Sequence, residues 1–228
     1  MSVGYDETRS LGLAFGGALD AAAGVTFRIS AQEHRSDGFR SNDYLGRDDT
    51  NRRDESALRA RLRYAPTATF DANLSLIHTD IDNGYDAFSL DNTRDTLSDQ
   101  PGRDALESTA LGLRWERELE GVSLLTAVSL ATTDTDYSYD EDWSFVGIAP
   151  GLEYSSFDRY QRERDSASAE LRVVSQTPMG LAGLSSDWVA GLYYLGDRED
   201  LARSYTYLAQ DFTSEFDTDT YAAFGQLD

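Results

Sequence analysis

The chain has 228 residues, 41 acidic against 20 basic side chains for a net charge of −21, and no cysteine. Disulfides, thiolate chemistry and cysteine-held metals are thereby excluded, and a duplex nucleic-acid partner is disfavoured because phosphate binding needs a basic face. No run of 18 apolar residues is present to make a transmembrane helix, although barrel strands are too short and too alternating to show in that way.

Taken in chain order, the apolar residues recur with period two, the signature of strands with one greasy and one wet face. Residues 8–19 place Leu11, Leu13, Phe15 and Leu19 opposite Ser10, Gly12, Ala14 and Gly16. A short turn at 20–24 leads to 25–32, where Val25, Phe27, Ile29 and Ala31 alternate with polar residues. A long connection at 33–54 is dense in Gly, Asp, Asn and Arg. The third strand alternates Leu58, Ala60, Leu62 and Tyr64 with Arg59, Arg61 and Arg63. Three arginines on one face do not fit a dry core and do fit a water-filled lumen.

Ala65, Pro66 and Thr67 read as the tightest turn, because proline breaks a central ladder. The fourth strand sets Phe70, Ala72, Leu74 and Leu76 against Asp71, Asn73 and Ser75. After an excursion at 80–104, the fifth sets Thr109, Leu111, Leu113 and Trp115 against Ser108, Ala110, Gly112 and Arg114. A turn at 118–121 precedes a sixth strand with Leu124, Val128 and Leu130 on one face. An acidic segment at 134–158 leads to the seventh, with Ala167, Ala169, Leu171 and Val173 on one side. The rhythm is weakest at 176–187. The eighth strand, 188–195, is apolar on both faces, and a ninth follows an excursion at 196–217.

The connections are alternately short and long, which is the rhythm of an outer-membrane barrel with short turns on one rim and long loops on the other. On this reading the stretches 34–54, 80–104, 137–158 and 196–217 are exterior loops, the last three of them acidic, the wall is nearly neutral, and Tyr64, Phe70, Trp115, Trp188 and Tyr194 sit at headgroup level. The first six residues lack a basic start and an apolar stretch, and the last eight stop in mid-strand. Both ends are therefore expected to continue in a longer protein. A sheet segment alone would carry two open edges, costly in lipid.

Candidate chemistry is sparse. His34 and His78 are the only histidines and have no triad spacing, so no enzyme and no catalytic residue is expected. Asp80, Asp82 and Asp86 are candidate calcium ligands, though the EF-hand spacing fails. No other cofactor is expected. Ligand recognition falls to Arg59, Arg61 and Arg63, whose forks suit carboxylate or phosphate, and to the loop aromatics Tyr85, Phe88, Tyr137, Tyr139 and Trp143.

Several stretches in order, Gly38-Phe39-Arg40, Tyr44-Leu45-Gly46-Arg47-Asp48, Asp82-Asn83-Gly84-Tyr85-Asp86, Ser98-Asp99-Gln100-Pro101-Gly102, Ser168-Ala169-Glu170-Leu171-Arg172, Trp188-Val189-Ala190-Gly191-Leu192 and Tyr221-Ala222-Ala223-Phe224-Gly225, resemble the barrel domain of TonB-dependent outer-membrane receptors. The resemblance implies an all-β fold, an antiparallel transmembrane β-barrel segment of about nine strands from a 22-stranded barrel. Residues 1–228 would then be part of the barrel domain, with the plug and the C-terminal strands absent. It also implies a Gram-negative outer-membrane location and lipid contact. The ligand would be scarce, a ferric siderophore or similar iron complex, and energy would come from the TonB complex through regions missing here. The alternatives are a self-contained small β-barrel or soluble β-sandwich acting as a surface or adhesion module, and a hydrolase on a β scaffold.

Overall fold

The computed structural model describes residues 2–181 and 184–228, and no helix occurs among them. Nine long strands form the protein: β1 (Arg9–Asp20), β2 (Val25–Ser36), β3 (Arg53–Thr67), β4 (Phe70–Tyr85), β5 (Gly102–Leu119), β6 (Val122–Asp140), β7 (Phe157–Ser175), β8 (Trp188–Tyr205) and β9 (Phe212–Leu227). Each pairs antiparallel with its neighbours in sequence, in one continuous sheet that Ser2–Val3 extends beside β1. Only hairpins connect the long strands, so every contact in the ladder follows from the alternation of turns and strands.

Register explains why the two-residue period matters. One row of cross-strand partners runs Phe27, Leu62, Leu74, Leu113, Val128, Ala169, Tyr194 and Tyr221. The adjacent row runs Arg28, Arg61, Ser75, Gly112, Ser129, Ser168, Leu195 and Thr220. The greasy sides of eight strands thus line up on one face of the sheet and the wet sides on the other; a slip of one residue at any hairpin would break both rows. Register also resolves β8, whose apolar-row members are Ala190, Leu192 and Tyr194.

No described residue covers the apolar face. Among the described residues there is no buried apolar side chain, and Leu13 is 66% exposed, Phe15 60% and Leu192 59%. A soluble sandwich hides its apolar rows between two layers; this protein has a single layer.

Three expectations change. Residues 65–67 are not a turn: β3 runs through to Thr67, and a register shift between Tyr64 and Thr67 accommodates Pro66, which has no N–H to give the ladder. The hairpin turns instead at Ala68 and Thr69. The exterior loops are also shorter than the acidic stretches, because the strands continue into them. The loops proper are 37–52, 86–101, 141–156 and 206–211, and the last of these is only a brief turn. β5 has 18 residues, about 60 Å of extended chain, whereas a barrel strand needs about 9–11 residues to cross a membrane. The wall is therefore not neutral along its length. Asp80, Glu107, Asp134, Glu163, Asp200 and Glu215 are successive cross-strand partners on the face that carries the apolar rows, just beyond those rows. Finally, the irregular 176–187 region holds a short antiparallel ribbon, Met179–Leu181 with Leu184–Ser186.

Candidate ligand-binding site

The buried residues of this protein are polar, and they gather at the end of the sheet where the long loops meet. Asn42 is its hub. Its Nδ2 donates to Asp86 Oδ2 at 2.8 Å and to the Ser98 carbonyl at 2.8 Å, while its Oδ1 accepts the Leu45 amide at 2.8 Å. The Thr96 hydroxyl also donates to Asp86 Oδ2, at 2.6 Å. Ser41–Asn42 and Asp95–Thr96 pair as a small parallel ribbon, so loops 37–52 and 86–101 are tied side by side. Gly84 lets loop 37–52 close on β4: its amide donates to the Arg52 carbonyl at 3.0 Å, and a Cβ there would lie 2.3 Å from the Thr50 carbonyl oxygen.

Loop 141–156 joins this cap. The Asp99 amide donates to the Ser144 carbonyl at 2.9 Å, Tyr44 stacks on Phe145 with ring centres 4.3 Å apart, and Phe88 stacks on Trp143 at 4.7 Å. Trp143 has φ of +58°, a left-handed conformation that costs a non-glycine residue about 1–2 kcal/mol. Two contacts hold it there: the Phe88 stack and Asp140 Oδ1, which accepts the amides of Asp142 at 3.1 Å and Trp143 at 3.3 Å.

From Trp143 an unbroken aromatic chain descends onto the polar face of the sheet. Phe88 meets Tyr85 edge-on at 6.0 Å, Tyr85 meets Tyr137 at 5.0 Å, and Tyr137 contacts both Tyr139 at 5.8 Å and Tyr160 at 6.5 Å. Arg203 lies 5.1 Å from the Tyr160 ring centre and grips Asp158 with two bonds of 2.9 and 2.6 Å. Burial would raise the Asp158 carboxyl, but Arg203 and the Tyr160 hydroxyl outweigh it and hold the group below the usual carboxylate range. Burial raises the Tyr137 phenol, so it remains a neutral donor at neutral pH.

All five sequence-predicted aromatics, Tyr85, Phe88, Tyr137, Tyr139 and Trp143, thus fall in one connected cluster. The three predicted arginines do not. Arg59 opposes Ile77 on β4, eight residues from Tyr85 and so about 26 Å down the strand. Arg63 is engaged by Asp71 at 2.5 Å. Sequence reasoning missed Tyr160, Arg203, Asp158 and Asn42. A polar-face position on β7 or β8 could have flagged the first three, but nothing in the local pattern marks Asn42 as more than a turn residue.

The calcium expectation finds the carboxylates committed elsewhere. Asp82 is held by Arg52 at 2.8 Å and Arg103 at 2.7 Å, and Asp86 belongs to the Asn42 network. Asp80 stands in the outward acidic row. Among the described residues no set of three or more His, Asp or Glu side chains is arranged to hold a metal ion. The histidines serve as cross-strand partners: His34 Nδ1 lies 2.7 Å from the Ser10 hydroxyl and His78 Nδ1 2.9 Å from that of Thr109.

Asp140 makes the cap pH-dependent. It is 5% exposed, and its Oδ2 has no hydrogen-bond partner. Burial first, then Asp142 beside it, pushes its pKa up from 3.8 to about 7. Below 3.8 the group is protonated in both docked and opened forms. As pH rises, the opened form ionises first, so docking weakens progressively and the loss is complete above about 7. Limited proteolysis of loop 141–156 should therefore be faster at pH 8 than at pH 5.5 after correction for protease activity, and Asp140→Asn should flatten the difference.

No protein-family model matches the chain, and no curated protein matches its sequence. Its structure does match solved ones. The ferric yersiniabactin uptake receptor FyuA of Yersinia pestis superposes with a TM-score of 0.78 at 16% identity, over 99% of this chain and 34% of that one. The ferric citrate transporter FecA gives 0.69 at 13% identity, over 98% and 33%. The ferripyoverdine receptor of the Pseudomonas aeruginosa outer membrane gives 0.62 at 14% identity, over 93% and 29%. At these identities the likeness is one of fold: the sheet is shaped like part of the barrel wall of these receptors, and the chain spans about a third of their length.

Proposed function

We propose that residues 1–228 form part of the barrel domain of a longer outer-membrane receptor that imports a scarce ligand with energy from a TonB complex, and that a ferric siderophore or similar iron complex is that ligand. The carrying observation is the uncovered apolar face, continuous across nine strands, in a sheet shaped like the wall of siderophore receptors. An apolar face of this kind is stable only against lipid or another apolar surface. The wet face then lines the lumen. Transport and binding explain the wall and its aromatic rim without invoking an enzyme.

The ligand meets the protein at the aromatic cluster. Rigid rings supply contact area at low entropic cost, and Tyr137, Tyr139 and Tyr160 share the wet face, where Asp158 accepts the hydroxyls of Tyr139 and Tyr160 and fixes their rings. Double replacement of Phe88 and Trp143 by alanine should reduce ligand affinity about 10-fold or more, since losing two stacked rings removes on the order of 1–3 kcal/mol. The test is growth on single iron sources by cells producing the parent receptor, together with direct binding of the iron complex that supports growth. Growth unaffected by deleting the parent gene on every iron and vitamin source would refute import. Recovery of the chain in the soluble fraction, without detergent, would refute the membrane wall.

A further inference from the structure

The polar ends of the aromatic cluster are engaged within the protein. Asp158 is 1% exposed. Its Oδ1 accepts Arg203 Nε at 2.9 Å, and its Oδ2 accepts Arg203 Nη2 at 2.6 Å, the Tyr160 hydroxyl at 3.0 Å and the Tyr139 hydroxyl at 3.4 Å. The Tyr205 hydroxyl donates to Glu141 Oε2 at 2.7 Å. The guanidiniums that touch these rings are engaged as well. Arg203 lies 5.1 and 5.0 Å from the Tyr160 and Tyr205 ring centres while it holds Asp158. Arg162 lies 5.5 Å from the Tyr160 ring centre and pairs with Glu199 at 3.5 Å. A guanidinium already matched to a carboxylate has little attraction left for a second anion. What the cluster presents to a ligand is therefore ring surface.

That surface is most open at Trp143. Phe88 covers one face of the indole, with ring centres 4.7 Å apart and planes inclined by 11°, yet Trp143 is still 38% exposed. Its backbone sits at φ of +58°. Such strain in a non-glycine residue persists only where the surroundings impose it, and it gathers at ligand clamps. Here Asp140 Oδ1 imposes it by accepting the amides of Asp142 and Trp143. The ring is thus held in place before a ligand arrives, which lowers the ordering cost of binding. A near-parallel pair of rings extends by the same offset stacking that formed it.

We propose that Trp143 is a stacking platform for an uncharged aromatic group of the imported ligand, which lies on the indole face turned away from Phe88. The inference rests on the reading of the aromatic cluster as the ligand site, and it names the chemistry that site selects. Stacking rather than ion pairing then sets the choice among iron complexes. Aryl-bearing, neutral complexes are preferred over aliphatic or multiply anionic ones.

Equilibrium binding of ferric complexes to the detergent-purified parent receptor tests the platform. Ferric tris(benzohydroxamate) and ferric tris(acetohydroxamate) are both neutral and share one donor set; they differ by phenyl in place of methyl. The benzohydroxamate complex should bind about tenfold or more tightly, the worth of one good stack. Trp143→Leu, which keeps an apolar side chain without a ring, should remove that preference, and Trp143→Phe should retain it. Hydrogen exchange at Asp43 should stay slow in both variants, showing the cap still docked. Ferric catecholate, aromatic but anionic, should bind about tenfold or more weakly than the benzohydroxamate complex. Equal affinity for the two hydroxamate complexes overturns the inference. So does a preference that survives in Trp143→Leu, or catecholate binding as tight as that of the benzohydroxamate complex. Fast exchange at Asp43 with the preference lost would assign Trp143 to docking the loop and overturn its role as a platform. If Phe88→Ala/Trp143→Ala weakens both hydroxamate complexes equally, the cluster remains the ligand site and only the aryl preference falls. If that variant leaves every affinity unchanged, the cluster is not the ligand site and the inference falls with it. Binding of neither complex also overturns the inference, and growth on single iron sources then decides the import reading by itself.

Discussion

Leu113→Arg should destabilise the sheet in lipid by about 2–4 kcal/mol, the cost of a cation on the lipid face near the membrane midplane. Leu113 sits in the middle of the apolar row, with Leu74 and Val128 as its cross-strand partners, and is 41% exposed in the protein alone. In a water-soluble protein an arginine at so open a position would cost almost nothing. The sign and size of the effect therefore report on what the face touches. Ala127→Arg is the matched control. Ala127 lies on the wet face, between Arg114 and Glu170, where a further guanidinium finds water and a carboxylate. Denaturant titration in lipid vesicles should show a large loss for the first variant and little for the second. Equal effects would mean that the two faces meet the same medium.

Asn42→Ala should undock the loop cap, at a cost of about 3 kcal/mol or more. Asn42 is 1% exposed and satisfies three groups at once: the Asp86 carboxylate, the Ser98 carbonyl and the Leu45 amide. Each buried group left without a partner costs about 1–3 kcal/mol, and a charged one is at the upper end. Water will reach some of them once the loops part, which is why the outcome is local opening rather than loss of the sheet. Hydrogen exchange at Asp43, whose amide donates to the Thr96 carbonyl, should accelerate about 100-fold or more, as expected for about 3 kcal/mol. Exchange in β5 and β6 should stay as it is. Protection at Asp43 that survives the substitution would mean that the ribbon between Ser41–Asn42 and Asp95–Thr96 stands without its hub.

The cap matters for recognition because it positions the rings. Phe88 belongs to a loop that Asn42 ties down through Asp86 and Thr96, and Trp143 to the loop that stacks against it. A binding defect in Asn42→Ala would thus come from disorder in the aromatic cluster, with no contact to ligand lost directly.

Along the outer side of the sheet, above the apolar rows, charges interlock. Asp82, Arg103, Asp136 and Arg159 form a run of contacts between 2.7 and 3.3 Å across four strands. Single exposed pairs contribute little. A run of this kind helps keep extended strand ends aligned where no second layer supports them.

Strand number, order and facing were legible in the sequence because they depend on local rules. Period-two alternation decides which side chains share a face, and hairpins between sequence neighbours leave no choice of topology. Leu58, Ala60, Leu62 and Tyr64 could be read as one greasy edge from their spacing alone, and the same reading made Arg59, Arg61 and Arg63 the wet one. Acidity misled about loop length: Asp80 and Asp200 fall in stretches read as loops by composition, yet they are strand residues. Pairing across loops lay beyond the sequence. Asn42 finds Asp86 and Ser98 more than forty positions away, and no periodicity encodes that meeting. Which arginines are satisfied was equally hidden. Arg63 has Asp71, and Arg61 has no carboxylate partner among the described residues, because of a hairpin's register and the reach of individual side chains, and those distances exist only once the chain is folded.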